Sequence, residues 1–299
     1  MPDTVVYYHR NCNDGLAAAA VCYRKFNASA EYRPINYGEV VDLDLVKNKQ
    51  VFIVDFSLEP EEMNRVAAVA ELVVCIDHHD TAVRRYNDYD CPGNVELYFD
   101  TSRSGAYLTW EYYYQDITPP YAIQLVDDHD RWVKAMSPHT EYFHKQFQMI
   151  TDVKEAAEVI TNPPLVDQMI NNGQAVIKFL DAKHDQITAG VTPRVFPLTG
   201  DTVPIINLPG FMISDTLNKL NQTYPECLYA TGYIALPHQT VFSLRTIHDD
   251  VAVNRIAERF GGGGHPKAAG FKVTHDLLGG IHAQLITTNP QVDPGAAEA

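Results

Sequence analysis

Val73-Val74-Cys75-Ile76-Asp77-His78-His79-Asp80 is the stretch on which the reading of this chain turns. A four-residue apolar run, too short for a typical helix, gives way abruptly to four polar side chains. That pattern predicts a buried parallel strand delivering potential ligands at its carboxyl end. A carboxylate beside two imidazoles suits Mn, Fe or Zn, because mixed oxygen and nitrogen donors fit these borderline metals better than they fit Ca or Mg. The competing reading is a solvated loop after a strand, and the neighbouring stretches bear on the choice.

Upstream, Val51 to Val54 repeats the design and is closed by Asp55, with a helical segment from Pro60 to Ala70 leading into the strand at Leu72 to Ile76. Earlier still, the β-branched and aromatic run Thr4 to Tyr8 ends at His9. Asn11 to Gly15 follows, then the alanine-rich Leu16 to Phe26, which reads as strand, loop and helix. His9 and Asp14 therefore belong to a loop at a strand end. Three strands in the first eighty residues end in potential ligands, and their alternation with helices predicts a mostly parallel sheet whose functional edge is where strand carboxyl ends meet.

Downstream, Asp100 to Ala106 introduces an apolar and aromatic helix reaching Tyr114. Ser104 and Gly105 at its start fit either backbone N–H groups offered to a phosphate or an ordinary serine N-cap. Ile123 to Val126 then runs into Asp127, Asp128, His129 and Asp130, a second dense cluster that closes an apolar run as Asp77 does; a solvated acidic turn is the alternative. From about 137 to 190 the pattern is predominantly helical, broken at Pro163 and Pro164, with a long amphipathic segment from Leu165 to Ile187 and no motif.

The stretch from about 191 to 285 reads as a smaller α/β domain, with strands near Val203 to Asn207, Leu228 to Ala235 and Thr240 to Arg245 and helices near Ser214 to Gln222 and Val251 to Phe260. Its signal is the run Gly261 to Gly264 followed by His265, Pro266, Lys267, Ala268, Ala269 and Gly270. Glycines let a backbone approach a ligand closely and favour an anion-binding concavity. Arg245, closing its strand, is a candidate phosphate partner.

Composition narrows the classes. At 299 residues, two domains are the better expectation. Hydrophobic residues make up 45% and charged residues 20%, as in a soluble globular protein, and no run approaches the roughly 20 apolar residues of a membrane span. The first residues lack a basic stretch followed by an apolar core, so the expected address is the cytoplasm. Five scattered cysteines form no disulfide framework. A net charge of −15 argues against tracking along long nucleic acid and leaves room for a small anionic ligand.

Together these residues resemble the DHH phosphoesterase superfamily, specifically members carrying a C-terminal DHHA1 domain. The motif is Asp77-His78-His79, and the second signature is Gly262 to His265 followed by Ala268-Ala269-Gly270. The resemblance covers almost the whole chain in the right order. It implies an α/β fold: a DHH catalytic domain over 1–160 with a mostly parallel sheet, a connecting helix over 161–190, a DHHA1 substrate domain over 191–286 and a flexible tail over 287–299. Relatives include RecJ-type exonucleases, nanoRNases, 3′-phosphoadenosine 5′-phosphate phosphatases and cyclic-dinucleotide phosphodiesterases. Manganese-type pyrophosphatases share the first domain but carry a different second one.

Carried over by position, the resemblance implies that His9, Asp14, Asp55, Asp77, His78 and one acid of the Asp127 to Asp130 cluster hold two divalent ions. Asp128 is preferred within that cluster, with Asp127 and Asp130 in competition, and Asp55 would bridge the ions. Mn2+ is favoured, with Mg2+, Co2+ and Zn2+ as alternatives. Asp77, His78 and His79 form the catalytic motif, His79 lying behind the metals or facing substrate. Ser104, Gly105, Arg245, Gly263, Gly264 and His265 would bind the substrate phosphate or terminal nucleotide. One departure stands out: many relatives have two aspartates after the first histidine, two residues apart, and the earlier position here is Cys12, with Asn13 between it and Asp14. Either the thiolate substitutes or that ion binds weakly. The implied activity is hydrolysis of short single-stranded oligonucleotides or dinucleotides to mononucleotides, with no long-duplex or membrane partner and a homodimer left open. A nucleotide phosphomonoesterase and a catalytically weakened nucleotide-binding protein are the rival readings.

Overall fold

The apolar runs that carry the strands bury both of their faces. In the computed structural model, which describes residues 3–274, the first unit spans Met1–Lys178 and the second begins at Phe179. The expected tail at 287–299, and the end of the expected second domain, lie outside the described residues.

In the first unit the order is β1 (Thr4–His9), α1 (Asn13–Phe26), β2 (Ala30–Ile35), α2 (Leu43–Val46), β3 (Gln50–Val54), α3 (Pro60–Ala67), β4 (Leu72–Asp77), α4 (Asp80–Arg85) and β5 (Val95–Phe99). There follow α5 (Gly105–Tyr114), α6 (Tyr121–Asp130), α7 (His139–Phe147), α8 (Val153–Ile160) and α9 (Pro163–Thr188), the last running on beyond Lys178. The five strands form one sheet in the order β2-β1-β3-β4-β5, and every pairing is parallel. Alternate residues serve opposite layers: Val6, Tyr8, Phe52, Val54, Val74 and Ile76 pack into a core with α1 and α5 to α8. Val5, Tyr7, Val51, Ile53, Val73 and Cys75 pack into a second core with α2 and α3. Covered on both faces, such strands need no polar alternation, which is why the sequence shows unbroken apolar runs.

Two strands, β2 and β5, carry charged and half-exposed residues and occupy the sheet edges, so they gave no apolar run to find. Conversely, Ile123 to Val126 is not a strand but the middle of α6. A four-residue apolar run does not distinguish the two, and here a longer helical period, not a strand end, delivers the acids.

Chain order reverses between β1 and β3: β1 is followed by β2 on one side, and the chain then returns to build β3 to β5 on the other. Ligand crevices in open parallel sheets form outside the strand carboxyl ends at such a point. His9 ends β1, and Asp55 directly follows β3.

The second unit contains β6 (Arg194–Val195), β7 (Thr202–Val203), β8 (Ile205–Asn207), α10 (Ile213–Thr223), β9 (Ala230–Ala235), β10 (Gln239–Arg245), α11 (Val253–Glu258), β11 (Gly263–His265) and β12 (Ala268–Thr274). Its main sheet runs β11-β12-β10-β9-β8, antiparallel except for β8 with β9. Phe196, Tyr229, Phe242, Leu244 and Phe271 fill one core, and Ile206, Leu217 and Leu220 fill another with α10. No helix among the described residues is long and apolar enough to cross a membrane.

Candidate metal centre

Asp55 lies at the heart of the first unit's strand edge. Its backbone adopts φ 55°, a conformation that aspartate tolerates better than most residues, and its amide donates to the Ile76 carbonyl at 2.9 Å. Its side chain is fully buried, yet neither carboxylate oxygen has a hydrogen-bond partner. His78 Nε2 stands 3.2 Å from Oδ1, and His9 Nδ1 stands 3.7 Å from Oδ2.

Around this carboxylate the β4 terminus places Asp77 and His78. Asp77 Oδ1 accepts from the His78 and His79 amides and pairs with His79 Nδ1 at 2.7 Å, while its Oδ2 is buried without a partner. His78 Nε2 also faces Asp14 Oδ2 at 3.6 Å and Asp130 Oδ2 at 3.4 Å. Three groups of potential donors result: Asp55 with Asp77, His78 and His79; His9 with Cys12 and Asp55; and Asp14 with His78 and Asp130. Asp55 belongs to two of them and His78 to two.

Electrostatics explain why this cluster calls for cations. Burial pushes the Asp14 carboxyl well above its ordinary value, and repulsion from Asp55 and Asp130 adds to it. Asp130 is likewise pushed up, by burial first and then by repulsion from Asp55, against the opposing pull of His78 and His79. For Asp55, burial acts upward, but His78 and His9 outweigh it and hold the carboxyl below the usual range. His79 is pushed up to about 9, chiefly by its hydrogen bond to Asp77, so it carries a positive charge at neutral pH. Buried carboxylate oxygens without donors are costly unless a cation satisfies them, so the residues present fit a divalent-metal site. Burial, then Asp55 and Asp14, push the Cys12 thiol well above its ordinary value. Without a cation beside it the site therefore favours the protonated thiol.

Two expectations are corrected by geometry. Asp128 does not face the cluster: its carboxylate accepts from the amides of Ala135 at 2.8 Å and Met136 at 3.2 Å and from the Thr140 hydroxyl. Asp127 accepts from the Ser104 amide at 2.7 Å and from Arg131. On a helix, successive residues turn by about 100°, so adjacent acids cannot share a target, and Asp130, at the last turn of α6, is the one that meets His78. Reading 121–130 as a helix would have set Asp128 apart from Asp127 and Asp130, which lie three residues apart on one face.

The second correction concerns Ser104 and Gly105. The start of α5 does bind an anion, but the anion is Asp14. Gly105 and Ala106 amides donate to its two oxygens at 2.6 and 2.9 Å, and the Ser104 hydroxyl accepts from the Tyr107 amide as an N-cap. Ser104 and Gly105 are buried and orient a carboxylate rather than face substrate. Asn13, beside Asp14, donates to His144 Nδ1 and to the His144 carbonyl, both at 3.0 Å.

His144 stacks on His129 with ring centroids 3.4 Å apart, and burial, followed by His129, pushes it down to about 3. An unfolded histidine takes its proton near pH 6.5, so below that pH the unfolded chain binds more protons than the folded one. Stability is therefore expected to fall as pH drops from about 6.5 towards 3. His144→Gln should flatten that slope in thermal melts taken across the window; an unchanged slope would refute the assignment.

In the second unit, register brings Arg245 and His265 together, both paired with Ala268 from opposite sides on one face of the sheet. Burial lowers the Arg245 guanidinium's pKa, and its hydrogen bonds go to the Leu244 carbonyl and the Ser214 hydroxyl. Gly264 has φ 137°, and a Cβ there would lie 2.6 Å from the Ala268 carbonyl oxygen, so its glycine is demanded by the β11-β12 hairpin itself. A Cβ on Gly263 would meet nothing within 4 Å.

No protein-family model matches the chain. An uncharacterized protein of Acanthamoeba polyphaga mimivirus is 26% identical over 287 residues, covering 89% of this chain and 66% of that protein. The oligoribonuclease NrnB of Bacillus subtilis (strain 168) is 25% identical over 314 residues, covering 95% of this chain and 76% of its own length. Among solved structures, exonuclease RecJ bound to manganese aligns over 99% of this chain and 92% of that one, with TM-score 0.54 and 14% identity. The DHH domain of a protein described as a member of the s1p family of ribosomal proteins aligns over 94% and 85%, also with TM-score 0.54 and 14% identity.

Proposed function

We propose, for a chain that has the fold of the DHH-domain proteins, a metal-dependent phosphodiester hydrolase acting on short oligonucleotides or dinucleotides and releasing mononucleotides. The observation that carries the reading is the buried Asp55 carboxylate, both oxygens lacking a donor, between His9 and His78. Its membership of two donor groups supports a role shared between two cations, one with Asp77 and His78, the other with His9 and Cys12. Asp14 and Asp130 would complete the set through His78. Divalent ions bound there would neutralise the phosphate and acidify the attacking water, with Mn2+ favoured by the mixed donors.

The chain's own residues do the positioning. The α5 amides fix Asp14, and the His78 and His79 amides fix Asp77. His79, charged through its pairing with Asp77 and part-exposed, is suited to hold a substrate phosphate oxygen. Arg245 and His265, in one row of the second unit's own sheet, are suited by charge and placement to a phosphate. The oligoribonuclease relative supports a short RNA substrate, as does the net charge of −15, which disfavours long nucleic acid.

The test is turnover by metal-stripped protein given Mn2+, Mg2+, Co2+ or Zn2+ and a panel of linear dinucleotides, five-residue RNA, cyclic dinucleotides and 3′-phosphoadenosine 5′-phosphate, with products identified by chromatography. Mononucleotides formed with Mn2+ are expected. Inorganic phosphate as the product would replace the diesterase with a monoesterase, and binding without turnover in every metal would reject hydrolysis.

A further inference from the structure

We propose that Trp132 is the stacking platform for a nucleobase of the substrate and that Asp128 positions it; this rests on the nucleotide reading above. Trp132 follows α6 two residues after Asp130, whose carboxylate faces His78. It is 64% exposed, so burial does not account for an indole at this position. Its backbone lies at φ 58°, a region that a bulky aromatic residue rarely enters without surrounding structure to impose it.

The imposing structure is visible. The Trp132 amide donates to the His129 carbonyl at 3.0 Å, and the Val133 and Lys134 amides both donate to the Asp128 carbonyl, at 3.0 and 3.3 Å. The buried Asp128 carboxylate gathers the next turn through Ala135, Met136 and Thr140. One acid thus ties residues 133–140 to the helix that presents Asp130, and Trp132 stands in the loop so braced, two residues from Asp130.

Lys134, also at positive φ, sets its ammonium 3.7 Å from the Trp132 ring centroid and 3.6 Å from Glu141. Lys134 thus covers part of the indole and the His129 ring meets it edge-on, with centroids 5.9 Å apart, while its 64% exposure leaves area for a single base. An exposed aromatic plane at the rim of a phosphate-handling site is the arrangement by which proteins hold single-stranded bases without reading their edges. The ligand class it selects is a planar nucleobase of any identity, attached to the phosphate at the metals.

Two tryptophans occur in the chain, and the other, Trp110, is 3% exposed with its indole N–H bonded to the Ile117 carbonyl. The test therefore has a readout independent of turnover. In Trp110→Phe protein loaded with Mn2+, a phosphorothioate-linked diadenosine dinucleotide should quench Trp132 emission saturably, and its abasic counterpart should not. Where that variant fails to fold, the difference in quenching between wild type and Trp132→Phe reports the same quantity. In kinetics, Trp132→Ala should raise KM for dinucleotides roughly 5- to 150-fold, the range of one lost base stack, with kcat little changed and no effect on an abasic substrate; Trp132→Phe should restore most of the loss. Asp128→Asn should raise KM in the same direction while the Mn2+ requirement stays that of wild type, whereas a lost metal ligand would raise it. Equal KM in wild type and Trp132→Ala, in an enzyme that turns over dinucleotides, overturns the platform alone. A wild type that neither binds nor cleaves any dinucleotide overturns the platform together with the nucleotide reading.

Discussion

Asp55→Asn is expected to abolish turnover, by at least about 10³-fold or roughly 4 kcal/mol of transition-state stabilisation, while leaving the fold intact. The structural half of this expectation follows from what Asp55 does not do. Its carboxylate oxygens have no hydrogen-bond donor and its ion-pair partners, His78 and His9, belong to the site itself; its amide bond to Ile76 is untouched by the change, and asparagine accepts the same positive φ. The functional half follows from charge: an amide offers one neutral oxygen where a carboxylate shared by two donor groups offered two charged ones. Circular dichroism should be unchanged. Saturating Mn2+ should raise the melting temperature of wild type, since a ligand at a hundred times its Kd adds about 2.7 kcal/mol, and should raise that of the variant far less. Retained activity, or an equal metal response in both proteins, would remove Asp55 from the centre of the site.

The second large effect is expected from Gly105→Ala. On helix propensity alone this change would favour α5, by up to about 1 kcal/mol. Space decides otherwise. A Cβ on Gly105 would lie 2.6 Å from the Asp55 Cβ, 2.8 Å from its Cα and 2.8 Å from Oδ1. Two of those atoms belong to the rigid end of β3 and its turn, so either α5 or Asp55 must shift, at the roughly 1–3 kcal/mol typical of overpacking. The Gly105 amide also donates to Asp14 Oδ2, so a shift of α5 drags a second carboxylate with it. Activity should fall about 10- to 100-fold, as when a group that orients a metal ligand is displaced, and the melting temperature should drop. A variant that is both fully active and more stable would show that the close approach is relieved by side-chain motion and that Asp55 is not tightly held.

These two substitutions separate what a linear reading reaches from what it does not. That Asp55 and Asp77-His78-His79 end apolar strands is local information, written within about five residues. A short run dominated by β-branched Val and Ile and buried on both faces reads as an interior strand of a parallel sheet, and an acid at its end marks the functional edge. The parallel α/β architecture and the meeting of His9, Asp55 and His78 follow from that alone, together with the rule that ligands gather where the strand order reverses. The edge strands β2 and β5 escaped because half-exposed strands lack the apolar run.

The placement of the remaining acids depended on the three-dimensional arrangement. That Asp128 turns away from His78 is a matter of helix phase, invisible when a four-residue apolar run is taken for a strand, and that Asp130 rather than Asp127 meets His78 depends on Ser104 and Arg131 engaging Asp127. That Gly105 and Ala106 serve Asp14, 91 and 92 residues away, rather than a substrate phosphate, depends on where α5 packs against α1. That Asp128 braces the loop bearing Trp132 depends on α7 lying beside α6. Local chain chemistry states what each residue can bind. Which of its partners is within reach is fixed by packing between segments distant in sequence, and an N–H group satisfied by a buried carboxylate is no longer free for a ligand.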